Sequence, residues 1–228
     1  GTATTKARHG TITPMNQTHT APSTTLADFY AGDWVDKLDE AKTNIDARKA
    51  YASGGAMALG RKVDDQITTT LDTTSQSVVT ITLSNKASIL ATSLEWVEAL
   101  FDNDVPNDGE LYGVVTPRLW SQLMTIDQFM NSDWVGSSGQ QYTKGPQIGG
   151  GRFKDWMGVK WKMQTGLPGA GTATAKCFIW HKSAVGYASA KSAGNVAGNQ
   201  SVSADITWHG DRAAHFVNHL MSGGACLV

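Results

Sequence analysis

Between Asp46 and Leu71 apolar residues recur at intervals of three and four: Ala52, Ala56, Leu59, Val63, Ile67 and Leu71. That period predicts one long helix with a narrow apolar stripe. Asp46 is placed to cap it, since its carboxylate can accept a backbone N–H of the first turn. Arg48, Lys49, Arg61, Lys62, Asp64 and Asp65 fall mostly off the stripe. Gly54 and Gly55 interrupt it, each weakening the helix by about 1 kcal/mol relative to Ala. Two adjacent glycines indicate close backbone approach or a bend.

A second helical period runs through Lys86–Asp102, with Leu90, Leu94, Val97 and Phe101 on its apolar face and Glu95 and Glu98 off it. DNDVPNDG then reads as a stop. Leu111–Val115 is a short buried strand leading into Thr116-Pro117, an N-cap followed by proline at the first helical position. The third helix, Pro117–Met130, presents Leu119, Trp120, Leu123, Ile126 and Met130. Strand periodicity marks Leu26–Asp36 (a short helix being the alternative), Ser77–Leu83, Lys176–His181 and Arg152–Met163. In the last of these Val159, Trp161 and Met163 alternate with Lys160 and Lys162, giving one apolar and one cationic face. Lys37–Asn44 reads as a charged turn. Ser201–Val228 reads as a β-hairpin turning at His209–Arg212, with Val202, Ala204, Ile206 and Trp208 alternating in its first arm. Residues 1–25 hold few large apolar side chains and form an arm or long loop; 131–151 and 191–200 are polar loops.

The 228 residues suffice for one large or two small domains, and no stretch is long and apolar enough for a transmembrane helix. No basic-then-apolar leader opens the sequence. A net charge of −1 gives no global argument for nucleic acid or membrane. Its distribution is more informative. Residues 87–135 hold eight acids against Arg118, whereas residues 136–200 hold eight bases against Asp155. Such a split suits contacts between copies, or two segments folding on each other.

Candidate chemistry is thin. TGLPGAGTATAK lacks the Gly-Lys-Ser/Thr ending of a phosphate loop and lies between strands. His215 and His219 share a strand face without a Glu or Cys to complete a metal set. Cys177 and Cys226 sit in apolar strands, as inert thiols do. No Gly-x-Ser-x-Gly elbow occurs. Eight tryptophans could line a carbohydrate surface, but their spread along the chain favours core packing. The residues point to no catalysis and no cofactor.

The run DWVDKLDEAKTNIDARKAYASGGAMALGRKVDDQI resembles the major capsid proteins of tailed bacteriophages. TPRLWSQLM, CFIWHKSAVGYA and DITWHGDRAAHFVNHLMSGGACLV follow in that family's order, and PMNQTHTAP resembles the returning segment of its extended loop. The resemblance runs from about Thr13 to the C-terminus and implies an α+β Hong-Kong-phage-type capsid fold, related to encapsulin shells. It implies a returning loop or arm at 1–25, a peripheral domain at 26–72 with its spine helix at 46–71, an axial domain at 73–200, and a closing peripheral hairpin at 201–228. By the same resemblance the chain is a non-enzymatic subunit, forming pentamers and hexamers in an icosahedral shell around double-stranded DNA. Its partners are identical subunits, head proteins such as a portal and decoration or scaffold proteins, and DNA without sequence preference; no membrane is involved. The place is the virion capsid, assembled in the host cytoplasm. An encapsulin-like or gene-transfer-agent shell is the near alternative, a monomeric carbohydrate-binding or hydrolytic domain the distant one. Candidate contacts between copies are Glu95, Glu98 and Asp102 against Arg152, Lys154, Lys160 and Lys162, with Gly54 and Gly55 as a place for the spine to bend.

Overall fold

The computed structural model describes residues 5–12, 14, 21–43, 46–74, 79–82, 85–130, 154–172, 174–190 and 202–228. The first sheet is built around β8 (Ala214–Leu227). Strand β1 (Ala27–Asp36) pairs antiparallel along one edge of β8, from Ala27↔Gly223 to Asp36↔Ala214. The other edge takes two strands end to end: β7 (Val202–His209), from His209↔Ala214 to Val202↔Met221, then β6 (Val185–Ser189), from Ser189↔Gly223 to Val185↔Leu227. The expected hairpin is therefore the middle of a larger sheet. The chain returns to that sheet at β6, ahead of the boundary expected at residue 200. Gly186, Ala188 and Ser189 dilute the apolar signal of this strand, whose pairing partner lies some forty residues away.

Helix α2 (Ala47–Asp72) covers one side of this sheet. The Asp46 carboxylate accepts the Lys49 N–H at 3.1 Å, so the predicted cap is present. Directly paired residues point to the same side of a sheet. Phe29, Ala31 and Val35 of β1 thus share with Val217, His219 and Met221 of β8 the side that α2 covers. Helix α2 runs unbroken through its glycine pair. A Cβ on Gly55 would fall 2.8 Å from Cε1 of the buried His219 ring, whereas one on Gly54 would meet nothing. Close approach therefore explains Gly55. Of the six stripe residues Leu59 and Leu71 are buried, while Ala56 is exposed. The segment expected as a charged turn is helix α1 (Lys37–Lys42), because Asp36 accepts the Leu38 N–H at 2.7 Å and acids occupy its first turn.

The second sheet has the order β3 (Lys154–Trp156), β4 (Val159–Met163), β2 (Leu111–Val115), β5 (Phe178–His181), with β2 and β4 parallel and the outer pairs antiparallel. Helices α3 (Lys86–Phe101), α4 (Pro117–Leu123) and α5 (Asp127–Met130) lie on one side. The predicted helix Pro117–Met130 is thus two. Thr125 bonds back to the Gln122 carbonyl at 2.7 Å, and the chain breaks there before Asp127. Between layers lies a core of twelve buried side chains centred on Leu111, Leu123, Phe129, Val159 and Trp161. Gly113 lets Trp161 cross β2, since a Cβ there would fall 2.8 Å from the indole. The Trp161 indole N–H donates to the Trp156 carbonyl at 3.0 Å. Of the expected strand Ser77–Leu83, residues 79–82 carry no strand pairing and the rest lies outside the described residues, as do both polar loops.

The register of α3 differs from expectation. Its buried side is Ile89, Thr92, Ser93 and Val97, with Leu90, Trp96 and Leu100 partly buried against the core, so Leu90 and Val97 of the expected face do meet it. Leu94 is 52% exposed and Phe101 37%. The apolar residues Leu90, Leu94, Val97 and Phe101 do share a helical period. However, Thr92 and Ser93 can be buried because their hydroxyls bond the Ser88 and Leu90 carbonyls at 3.0 and 2.8 Å.

Candidate assembly surfaces

Among the described residues the helices lie on one side of the second sheet. Its other side carries two cross-strand rows. Lys160, Tyr112 and Trp180 form one, and Lys162, Val114 and Phe178 the other, all partly buried. The Tyr112 and Trp180 rings lie 6.4 Å apart with planes 29° from parallel, and the Lys160 ammonium sits 5.2 Å from the Tyr112 ring. At one end Glu110 gathers the charges. It accepts from the Tyr112 hydroxyl at 2.9 Å and pairs with Lys160 at 3.3 Å and Lys182 at 3.6 Å. The Tyr112 bond, then Lys160 and Lys182, hold the Glu110 pKa below its ordinary value. Burial pulls the Lys160 pKa down, but the hydrogen bond and charge of Glu110 outweigh it and raise the pKa.

Beside this cluster the chain crosses from β5 through a 3-10 turn (Lys182–Ala184) into β6. Ser183 N–H donates to His181 Nδ1 at 3.2 Å, so the opposite nitrogen carries the proton that faces Asp108 at 3.1 Å. The Ser183 hydroxyl also lies 2.7 Å from Nδ1. Ser183, His181 and Asp108 thus line up in the order of a hydrolytic triad. Here the Nδ1 lone pair already takes the backbone N–H that caps the turn, and the trio's geometry is that of a cap tied to a loop. Asp108 is held below its ordinary pKa, first by the Glu110 backbone N–H and then by His181.

The predicted contact residues separate into different settings. Glu95, Glu98 and Asp102 lie exposed along α3 and form no ion pair among the described residues. Lys154 is inside the fold, 3% exposed, with its ammonium 4.3 Å from the Phe129 ring, and burial lowers its pKa. An inward-facing position on β3 takes it out of reach of another copy. Lys160 and Lys162 stand on the uncovered side of the sheet, as the alternation predicted, with Lys160 already held by Glu110. Arg152 lies outside the described residues. Sequence reasoning missed the Asp108–His181 tie, whose partners are 73 positions apart and carry no local pattern.

The first sheet also has an uncovered side. There Trp34 packs on Phe216 with ring centroids 4.7 Å apart, Arg212 lies 4.6 Å from the Trp34 ring, and Tyr30 is 78% exposed near Leu220. A surface depression beside the long helix, about 540 Å³, is lined by Glu40, Asp46, Arg48, Lys49, Ala52 and Ile206. Its Glu40 and Arg48 pair at 2.6 Å. Among the described residues no group of three His, Cys, Asp or Glu side chains could hold a metal ion, and no helix is long and apolar enough to cross a membrane. Burial raises the Cys177 thiol pKa, in keeping with an inert thiol.

Comparison with solved structures finds this fold in phage capsids. A structure of Mycobacterium phage Che8 superposes with a TM-score of 0.67 at 18% identity, covering 89% of this chain and 67% of that one. The capsid structure of the cyanophage P-SCSP1u gives 0.65 at 14% identity, covering 97% and 77%. The mature capsid of bacteriophage PhiM1 gives 0.57 at 14% identity, covering 99% and 76%. No curated protein matches the chain. A sequence profile of the phage capsid proteins matches residues 1–228, its full length. The spine helix on one sheet, the helix-backed second sheet, and this whole-length match establish that the chain belongs to the phage capsid protein family and is a major capsid protein of the Hong-Kong-phage-type fold.

Proposed function

We propose that copies of this chain assemble as pentamers and hexamers into an icosahedral shell that encloses double-stranded DNA. The observation that carries this reading, beyond family membership, is that among the described residues the helices lie on one side of each sheet. On the first sheet the other side carries the exposed Tyr30 and Leu220. A closed shell repeats one weak contact many times, so modest apolar area per contact suffices. The subunit's part is structural, and its place is the capsid of the virion, assembled in the host cytoplasm.

DNA is held without sequence preference, by Lys and Arg side chains meeting phosphates, so its retention falls steeply with salt. A portal and decoration or scaffold proteins complete the head. Gly54, with open space around it, is where the spine yields if the shell changes shape. Sedimentation and electron microscopy of the purified protein, with nuclease treatment of the particles, test the reading. Closed particles holding nuclease-resistant DNA are expected from an infected host. A species of single-chain mass under every assembly condition would refute the shell, and empty or protein-filled native particles would refute the cargo.

A further inference from the structure

Positions 223 and 224 of β8 are both glycine, and each opens one side of the first sheet to a close neighbour. On the side that α2 covers, Gly223 leaves room for the Tyr187 hydroxyl, and its carbonyl accepts the Gln66 side-chain amide at 2.9 Å. Successive strand positions face opposite sides, so Gly224 opens the side away from α2. A Cβ there would fall 2.6 Å from the Thr25 carbonyl oxygen and 2.8 Å from the Thr24 hydroxyl. The last pair of β1 with β8 is Ala27↔Gly223. Continued pairing would set Leu26 opposite Gly224; instead Thr25 lies over Gly224, so the chain leading into β1 passes over the face away from the spine. The Thr24 hydroxyl donates to the Ala225 carbonyl at 3.1 Å and fastens this crossing.

We propose that this crossing is an anchor that fixes the direction in which the chain ahead of β1 leaves the sheet, and that association of copies depends on that direction. A segment held only by the first pair of a strand swivels about it, because the torsions ahead of the pair stay open. Three fixed points remove that freedom: the Ala27↔Gly223 pair, the Thr24 bond to Ala225, and the seat of the Thr25 carbonyl on Gly224. Pro22 stiffens the exit further, since its ring fixes its own φ and restricts Ala21 before it. Ahead of the anchor Ala21, Pro22 and Ser23 stand exposed. Residues 5–12 form a turn closed by the Gly10 N–H on the Ala7 carbonyl at 2.9 Å, with Lys6, Arg8, His9 and Ile12 exposed. A contact repeated around a closed shell needs the same direction in every copy, since a rotational error in one carries into the next. The anchor is a property of the single chain; the dependence of assembly on it deepens the shell reading and rests on that reading.

The test follows exit direction and assembly together. Nitroxide labels attached through ketone-bearing amino acids at Ala21 and Met57, both exposed, leave Cys177 and Cys226 in place. Electron–electron double resonance on the free subunit is expected to give one narrow distance when the rest of the chain is wild type. Thr24→Val removes the hydroxyl and keeps the shape. A second, broad distance population should then rise about tenfold, the weight of one lost hydrogen bond. Particle yield should fall with it, while circular dichroism shows the subunit still folded. Thr24→Ser keeps the hydroxyl and should keep both the narrow distance and the yield. Gly224→Ala displaces a backbone carbonyl and should act in the same direction more strongly. An unchanged distance distribution in Thr24→Val would overturn the anchor. A changed distribution with wild-type yield would overturn the dependence of assembly on it and leave the shell standing. Wild-type protein that stays at single-chain mass in every condition would overturn the shell reading, with the distances still deciding on the anchor.

Discussion

In the layer of the second sheet, which the family resemblance makes axial, three helices close over one side of a four-stranded sheet and bury twelve apolar side chains among the described residues, including Trp161, Phe129 and Leu123. In the layer of the first sheet, which the resemblance makes peripheral, one long helix among the described residues lies on a sheet of the same strand number. It leaves six fully buried apolar residues among those described: Val35, Leu59, Leu71, Ala214, Val217 and Met221. Each large side chain buried contributes roughly 1.5–3 kcal/mol. The first region therefore has a core sufficient to order itself, and the second depends more on geometry and on what covers it. The polar junction between them repeats the contrast. Lys176 meets Asp72 at 2.5 Å and Gln164 meets Asp64 at 3.3 Å, while the large apolar cluster stays within the axial layer.

Hollowing the better-packed layer should cost the most stability. Trp161→Ala removes a fully buried indole that bridges β4, β2 and α3. A loss of about 3–5 kcal/mol is expected in denaturant unfolding; a loss below about 1 kcal/mol would mean that the axial layer is not the stable unit. In the peripheral module the tight point is Gly55 on His219. Gly55→Ala is expected to destabilise by about 1–3 kcal/mol through overpacking. His219→Ala in the same chain should relieve most of that penalty, a coupling read by a double-mutant cycle. Additive losses would show that the ring has room to move.

Smaller stability effects test the surface. Glu95→Lys with Glu98→Lys should change folding stability by no more than about 0.5 kcal/mol, because both side chains are exposed. Particle yield should nevertheless fall, and Lys160→Glu with Lys162→Glu should partly restore it. Equal yields throughout would detach the acids from assembly. The smallest effect belongs to Asp108. Its pKa is lowered in the fold, so the stabilisation it gives is complete above the unfolded-state carboxylate pKa and is lost as pH falls through the lowered value. Asp108→Asn should therefore flatten the acid side of the stability–pH profile and leave its alkaline side unchanged. An identical acid limb would show that the His181 tie contributes nothing to stability.

Elements whose burial follows local periodicity were legible in the sequence. The spine helix with its Asp46 cap, the Thr116-Pro117 helix start and the alternation over Val159–Met163 all needed only neighbouring residues to be read, but the single strand expected over Arg152–Met163 is two, β3 and β4, turned at Met157 and Gly158. Features set by distant partners were not. The β6 strand is held by Cys226 and its neighbours on β8, and nothing in Val185–Ser189 announces it. The register of α3 misled because Leu94 and Phe101 face outward while Ser93 is buried with its hydroxyl satisfied. Among the candidate cations, alternation correctly turned Lys160 and Lys162 away from the core. It could not reveal that Lys154 on the neighbouring strand points inward over Phe129.

Amide hydrogen exchange, compared between free subunits and assembled particles, tests most directly the claim that the axial layer stands alone while the uncovered faces are completed by other copies. Strands β2 and β4 should be equally protected in both states, whereas β1 and β7 and the outward face of α3 should gain protection at least tenfold on assembly. Uniform protection of all these elements in the free subunit, with no gain on assembly, would contradict the account.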